Sequence, residues 1–329
     1  MRRLRVFTWH VHGSYLYYLS RIPHDLFVPV MPGRPPGYTG LPPGGFPWPA
    51  NLHEVPVDEV ARLRLDCVLF QARAHWEVDR HRLLSREQQG LPRIYLEHDP
   101  PRESPTDTAH FVDDRDTLLV HVTPFNALMW DSGRTPTRVI DHGVATPDGV
   151  VYSGELPRAV TVVNNIRSRG RRLGADILDA VRARVPVDLV GLGAVEAGGL
   201  GEVPHRDLFA FEARYRVFFN PIRYTSLGLA VCEAMMLGLP IVGLATTEMA
   251  TAVRHAVTGY VDTAPAELVR ALESLLDDPA EARRLGDNAR RYARERFHID
   301  RFVRDWNDAL GAVSGASTAP TRRPSEVLT

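Results

Sequence analysis

The chain has 329 residues, 44% of them hydrophobic and 24% charged, with a formal net charge of −1. That length suits two domains of ordinary size, the composition is that of a soluble globular protein, and the near-zero charge excludes bulk binding to nucleic acid or an anionic membrane. No lysine occurs and all 39 basic side chains are arginine, so a phosphate-binding cation must be Arg or His. Cys67 and Cys232 stand in apolar runs and read as small core residues of a reducing compartment. MRRLRVFTW runs straight into a strand pattern with no signal-peptide pattern, which makes the cytoplasm the expected location.

In chain order, six apolar runs of strand length come first: RVFTW, DLFVPV, DCVLFQ, RIYLEHD, TLLVHVT and RVIDHGV. They are near-continuous rather than alternating, as strands buried on both faces are. Between the second and third lies MPGRPPGYTGLPPGGFPWPA, too rich in Pro and Gly for a helix or central strand. It reads equally as a mobile loop or as a rigid surface connector. The turn-rich stretch ATPDGVVYSGELPR, residues 145–158, reads as a linker. A second series follows: AVTVVNN, the helix ADILDAVRAR, VDLVGLG, YRVFFNP, the helix SLGLAVCEAMML, IVGL and YVDT. Strand–helix alternation predicts an α/β fold with parallel, doubly wound sheets. Asp277–Asn307 is a charged amphipathic helical stretch, and the tail after Ala312 has a disordered composition. The expected division is 1–148 and 149–295 as two Rossmann-like domains, 296–312 as a terminal helix and 313–329 as a tail.

One carboxylate stands out. Glu233 is the sole charged residue between Arg223 and Glu248. An ionised acid among Ala, Leu, Val and Met must be paired, face a cavity or meet a ligand. Leu227–Ala245 is apolar enough to suggest a membrane span, but an acid near its centre costs roughly 2.5–3.5 kcal/mol on insertion, and Pro240 interrupts it. Helix, tight turn and buried strand is the better parse. A plainer reading makes Glu233 a first-half helix acid favoured by the macrodipole.

Two α/β halves, with Thr225-Ser-Leu-Gly-Leu-Ala-Val-Cys-Glu233-Ala and then Gly238-Leu-Pro240 in the second, resemble the GT-B architecture of glycosyltransferases. In that architecture two Rossmann-like domains face a central cleft. The match is most specific from Val160 to Asp262 and is similar to the family-4 retaining enzymes. Their hallmark is two glutamates eight positions apart around Phe-Gly-Leu, followed by Gly-x-Pro. Glu233 takes the second position, and Thr225 replaces the first glutamate. The resemblance implies that Glu233 accepts hydrogen bonds from the donor ribose and that Thr225 lies at the donor sugar. A helix starting near Leu227–Gly228 aims free N–H groups at the distal phosphate, and Gly228 keeps the approach clear. Tyr224, Thr225, Ser226, Leu227, Gly228 and Leu229 thus form the expected donor turn.

VVNNIRSRGRRLGADIL supplies the cations. By alignment Arg169 takes the position of the family lysine, Asn164 stands where an arginine is usual, and Arg167 substitutes from nearby. The plainer reading is a solvated basic loop. The resemblance also places Val203 and His205 at the base, His98 beside the sugar at a strand's carboxyl end, and Gly13 as the pivot of a loop facing the donor. It further suggests that the acid of Thr247-Glu248 closes over the donor, although Glu248 reads equally as a surface or N-cap residue. His98, Arg169 and Glu233 are the expected catalytic residues. The implied activity is metal-independent, retaining transfer from a nucleotide sugar to a hydroxyl of a polysaccharide, glycolipid or natural-product acceptor. No cofactor and no nucleic acid partner are expected, and peripheral membrane contact enters only with a lipid acceptor.

Two rival readings remain. Thr225 and Asn164 suit a protein that binds nucleotide sugars without transferring them. His10-x-His12 at the end of the first strand, with His98, His121 or His142 as later ligands, suits a metal-dependent hydrolase. That barrel needs eight similar strand–helix units, which the chain does not provide.

Overall fold

The computed structural model describes residues 2–42 and 45–315. The expected tail lies outside these from residue 316 onward. The first sheet holds β1 (Arg5–Thr8), β2 (Asp25–Val30), β3 (Leu52–Pro56), β4 (Cys67–Phe70), β5 (Arg93–Glu97), β6 (Thr117–His121) and β7 (Thr137–Val139), in the order β3-β2-β1-β4-β5-β6-β7. The second holds β8 (Leu156–Val162), β9 (Val187–Val190), β10 (Tyr215–Asn220), β11 (Ile241–Leu244) and β12 (Gly259–Asp262), in the order β12-β11-β10-β8-β9. All their pairings are parallel. β3 was not expected. It is an edge strand in which only Leu52 and Val55 are buried and which ends in Pro56, so it shows no continuous apolar run.

The α-helices are α1 (Gly13–Leu19), α2 (Arg80–Leu83), α3 (Pro124–Met129), α4 (Ala175–Arg182), α5 (His205–Glu212), α6 (Leu229–Leu237), α7 (Met249–Ala252), α8 (Pro265–Asp277), α9 (Pro279–Arg296) and α10 (Ile299–Val313). The charged stretch divides at Phe297–His298 into α9 and α10. Asp278 accepts from the N–H groups of Ala280 and Glu281 to start α9, with Pro279 at its first position. α6 is buried from Val231 to Leu237 and packs on α9 inside the second domain. Gly286 permits this approach, because a Cβ there would stand 2.0 Å from the Gly238 carbonyl oxygen. The apolar run is a core helix and strand, and among the described residues no helix is long and apolar enough to cross a membrane.

Strand addition reverses direction between β1 and β4 in one sheet and between β8 and β10 in the other. Open sheets hold ligands in the crevice outside such switch points. The turns after β1, β8 and β10 therefore converge on one cleft. α10 leaves the second domain and packs on the first: Phe302 lies against Gly143, and the Trp306 indole N–H donates to the Tyr15 hydroxyl at 3.2 Å. Arg296 joins the halves, bonding Asp141 at 3.1 Å and Glu248 at 2.6 Å. Burial alone would lower its pKa, but these carboxylates raise it overall.

The described part of the Pro/Gly-rich insert is anchored. Thr39 bridges Val30, Tyr38 donates to Asp79 at 2.6 Å, Arg34 pairs with Glu54 at 2.6 Å, and the Gly40 carbonyl accepts from His10 Nδ1 at 2.7 Å. Residues 34–40 are thus tied to the first domain, and Phe46 lies at the cleft wall.

Candidate active site

A cavity of about 750 Å³ lies between the domains. From the second domain it is lined by Asn164, Arg169, Val203, His205, Thr225, Ser226, Leu227, Gly228, Leu229 and Glu233, and from the first by Gly13 and His98. Arg167 and Tyr224 are not in that lining. Arg167 is turned away from the cavity to Asp179, which it meets through both terminal nitrogens at 2.5 and 2.9 Å, so the structure does not place it where the second cation was expected. Tyr224 donates instead to the Pro101 carbonyl at 2.8 Å and so ties the donor turn to the first domain.

The turn after β10 ends at Gly228, whose extended backbone caps α6 without a side-chain hydrogen bond. The first N–H groups of α6 are accordingly free of side-chain caps. A Cβ at Gly228 would meet nothing within 4 Å, so this side of the helix end opens on the cavity. His142 Nε2–H donates to the Leu227 carbonyl at 2.7 Å and fixes the turn from the first domain. Gly174 locks the neighbouring loop close by. It is left-handed (φ +77), and a Cβ there would strike the Pro221 carbonyl oxygen at 1.9 Å.

Arg169 makes no side-chain hydrogen bond among the described residues, and its charge is felt by Arg172 and His12. Burial and the charge of Arg102 lower the Arg169 pKa, although Asp99 opposes this. A guanidinium remains charged under all working conditions. Asn164 accepts from the Leu192 N–H at 2.8 Å and braces the loop after β9.

Glu233 is 3% exposed. Its Oε1 accepts from the Tyr18 hydroxyl at 2.7 Å and lies 3.6 Å from His205 Nε2. Tyr18 belongs to α1 in the first domain, so this bond crosses the cleft. Behind it, Glu212 is buried with neither carboxyl oxygen hydrogen-bonded among the described residues. Burial and then the Glu233 charge push Glu212 well above the usual carboxylate range.

His98 stands at the end of β5. Gln71 gives its amide hydrogens to Thr8 Oγ1 at 2.7 Å and the Trp9 carbonyl at 2.9 Å, so its Oε1 accepts from His98 Nε2–H at 2.9 Å. This fixes the tautomer and leaves Nδ1 as an acceptor. Burial, then His12 and His142, lower the His98 pKa well below the ordinary value. The ring is a neutral acceptor at pH 7.

Glu248 does not line the cavity. It accepts from Arg296, Thr251 and the Phe125 N–H and serves as a cross-domain anchor, not as an acid closing over a ligand. Sequence reasoning missed Tyr18, Phe46, Asp99 and Arg102, of which the last three line the cavity. Asp99 and Arg102 follow β5 and pair with each other. The DPPR after a strand end was the available signal for them.

For the hydrolase reading, His10 is tied to Gly40, and among the described residues no group of three or more His, Cys, Asp or Glu is disposed to hold a metal. The chain's Asp-x-Asp, Asp114-Arg115-Asp116, lies in a turn where Asp114 accepts from Thr117 and the Asp116 N–H, and Asp113 before it is engaged by Arg134.

Residues 197–292, spanning α5 to most of α9, match the family model for glycosyl transferases group 1. Sucrose-phosphate synthase from Thermosynechococcus elongatus superposes with a TM-score of 0.71 at 17% identity, covering 96% of this chain and 100% of that one. HepE of Anabaena, solved in complex with UDP and glucose, gives 0.66 at 15% identity, covering 94% and 100%. The chain has the GT-B fold, and one segment of it matches the group 1 family model. AviGT4, a glycosyltransferase involved in avilamycin A biosynthesis, gives 0.60 at 14% identity over 95% of this chain and 99% of its own. The segment that matches the group 1 model contains the turn after β10 and Glu233, and Arg169 joins them in the cavity from a loop outside it.

Proposed function

We propose that the protein is a retaining glycosyltransferase that moves a sugar from a nucleotide donor to an acceptor hydroxyl in the interdomain cleft. The observation that carries this reading is the convergence of Glu233, the start of α6 without a side-chain cap, and Arg169, which has no side-chain hydrogen bond among the described residues, on one cavity. Each meets a different part of a nucleotide sugar. The carboxylate suits a ribose diol, while the helix N–H groups and guanidinium suit a diphosphate. The bond from the anomeric carbon to the diphosphate oxygen breaks, the bond to the acceptor oxygen forms on the same face, and the acceptor hydroxyl's proton passes to the departing phosphate oxygen. The departing charge is met by Arg169 and the α6 terminus, which removes the need for a divalent ion. His98 Nδ1 accepts from a sugar hydroxyl. The first domain binds the acceptor.

HepE was solved with UDP, which supports a nucleotide-sugar donor here. A thermal-shift panel of UDP-, GDP-, TDP- and ADP-sugars tests the reading, because a bound ligand raises apparent stability by mass action. One sugar class should raise Tm at millimolar concentration, and the product should keep the donor's anomeric configuration by NMR. A panel with no shift would remove the donor assignment, and an inverted product would remove the mechanism. Thr225 favours one alternative, a nucleotide-sugar binder without turnover, because a neutral hydroxyl stands where the family grips the sugar with a carboxylate. Binding with no transfer or hydrolysis across acceptors would select it.

A further inference from the structure

Beyond Glu233 the cavity wall is aromatic and is built by both domains. Phe46, from the insert, stacks on Tyr17 of α1 at 5.5 Å between ring centroids and 29° between planes. The same ring meets His205 of α5 at 4.6 Å, and Tyr17 meets His205 at 5.3 Å. The triad is backed on the outside by the Arg21 guanidinium, 4.9 Å above the Tyr17 ring. It is also fitted to the donor-facing loop. A Cβ at Gly13 would stand 2.6 Å from Phe46 Cε2, so the ring occupies space that the absent side chain leaves. His205 connects the wall to Glu233, 3.6 Å from its carboxylate.

We propose that Phe46 is the first-domain wall of the nucleobase subsite and a determinant of donor affinity. The inference rests on the donor reading and extends it, since that reading places the ribose at Glu233 and leaves the next group outward unassigned to any first-domain residue. A nucleobase is attached directly to the ribose, so it must lie within one ring's width of that carboxylate. The surface found there is aromatic, its rings set at 29°, 44° and 66° to one another, with the cavity-lining Val203 and Leu208 beside it and Glu202 next along the same wall. Such a surface packs against a heterocycle's face through stacking and dispersion, which suits any base. The rings of the triad touch, so the base lies against the wall and not between its members. Because Phe46 and His205 come from different domains, the complete subsite exists only with the cleft in this closed arrangement.

The test is calorimetric titration of the full chain with UDP, GDP, TDP, ADP and inorganic pyrophosphate. Losing one base–aromatic contact should weaken the preferred nucleoside diphosphate by about 5- to 150-fold in Phe46→Ala, with pyrophosphate affinity unchanged and Phe46→Trp near wild type. Should Phe46→Ala fail to fold, Phe46→Leu carries the test, keeping apolar volume without the ring. Nucleoside diphosphate binding that stays within twofold of wild type, or that falls in parallel with pyrophosphate, overturns the proposal and leaves the donor reading standing. Wild-type protein that binds pyrophosphate but no nucleoside diphosphate overturns both.

Discussion

Two strand-to-helix turns face each other across the cleft, and the sequence displays them very unequally. The turn from β10 into α6 announces itself through a lone acid in an apolar helix, a glycine at the helix cap and a Gly-x-Pro stop. The turn from β1 into α1 carries His10, His12 and Gly13, which fit a metal site as readily as a donor loop. In the structure the first turn's contribution comes from further along its helix, where Tyr18 reaches Glu233 over a separation of 215 residues. One turn brings its own chemistry, and the other supports it from across the gap.

The sharpest way to break this comparison is to remove the acid. Losing charge-assisted hydrogen bonds of roughly 1.5–3 kcal/mol each should lower kcat/KM by about ten- to several-hundred-fold in Glu233→Ala. A folded variant with normal turnover would show that the apolar helix holds its acid for structure alone.

Arg169→Ala should weaken nucleoside diphosphate binding by about 10- to 100-fold through loss of a charged contact, while bare nucleoside affinity holds. Arg167→Ala should leave both unchanged, since that side chain is spent on Asp179. Titration calorimetry on the two variants separates them. The reverse ranking would restore Arg167 as the phosphate ligand.

Acid should act on the first side of the cleft. Burial lowers His75 to about 3 and His121 to about 4, and both lie in the first domain. The unfolded chain binds protons at these sites below its ordinary pKa of about 6.5 while the folded chain does not. Stability should therefore be full above pH 6.5 and fall as pH drops toward 4. Each group should cost about 2 kcal/mol between pH 7 and pH 5, read as a lower urea midpoint. A midpoint independent of pH over that range would mean these rings are protonated in the fold.

A smaller effect is expected where the two turns touch. Tyr18→Phe should lower kcat/KM by about tenfold, the worth of one hydrogen bond to a charged group, chiefly through donor KM. A wild-type KM would show that α1 lends Glu233 no support. The smallest effect is none. Activity should survive EDTA, and His10→Ala with His12→Ala should leave metal content unchanged. Abolition by chelator with rescue by zinc or manganese would put the first turn at the centre of the chemistry.

The sequence by itself determined the two α/β series, six of the first seven strands, the apolar helix with its acid, and the arginine loop. These are local matters, because burial on both faces of a parallel sheet leaves a continuous apolar run, and a helix cap needs particular neighbours. β3 escaped because an exposed edge carries no such run. Choosing between Arg167 and Arg169 needed tertiary structure, as the two stand two positions apart and only the fold shows which one Asp179 claims. Glu248 read equally as an acid over the ligand or as a surface or N-cap residue; it stands at the N-cap of α7 and is an anchor because Arg296 and the Phe125 amide fill its oxygens. Phe46 and Tyr18 had no local signature at all. Glu233 for Tyr18 and His205 for Phe46 come from the opposite domain, and that meeting is set by how two sheets dock and by α10 crossing back, which no local pattern encodes.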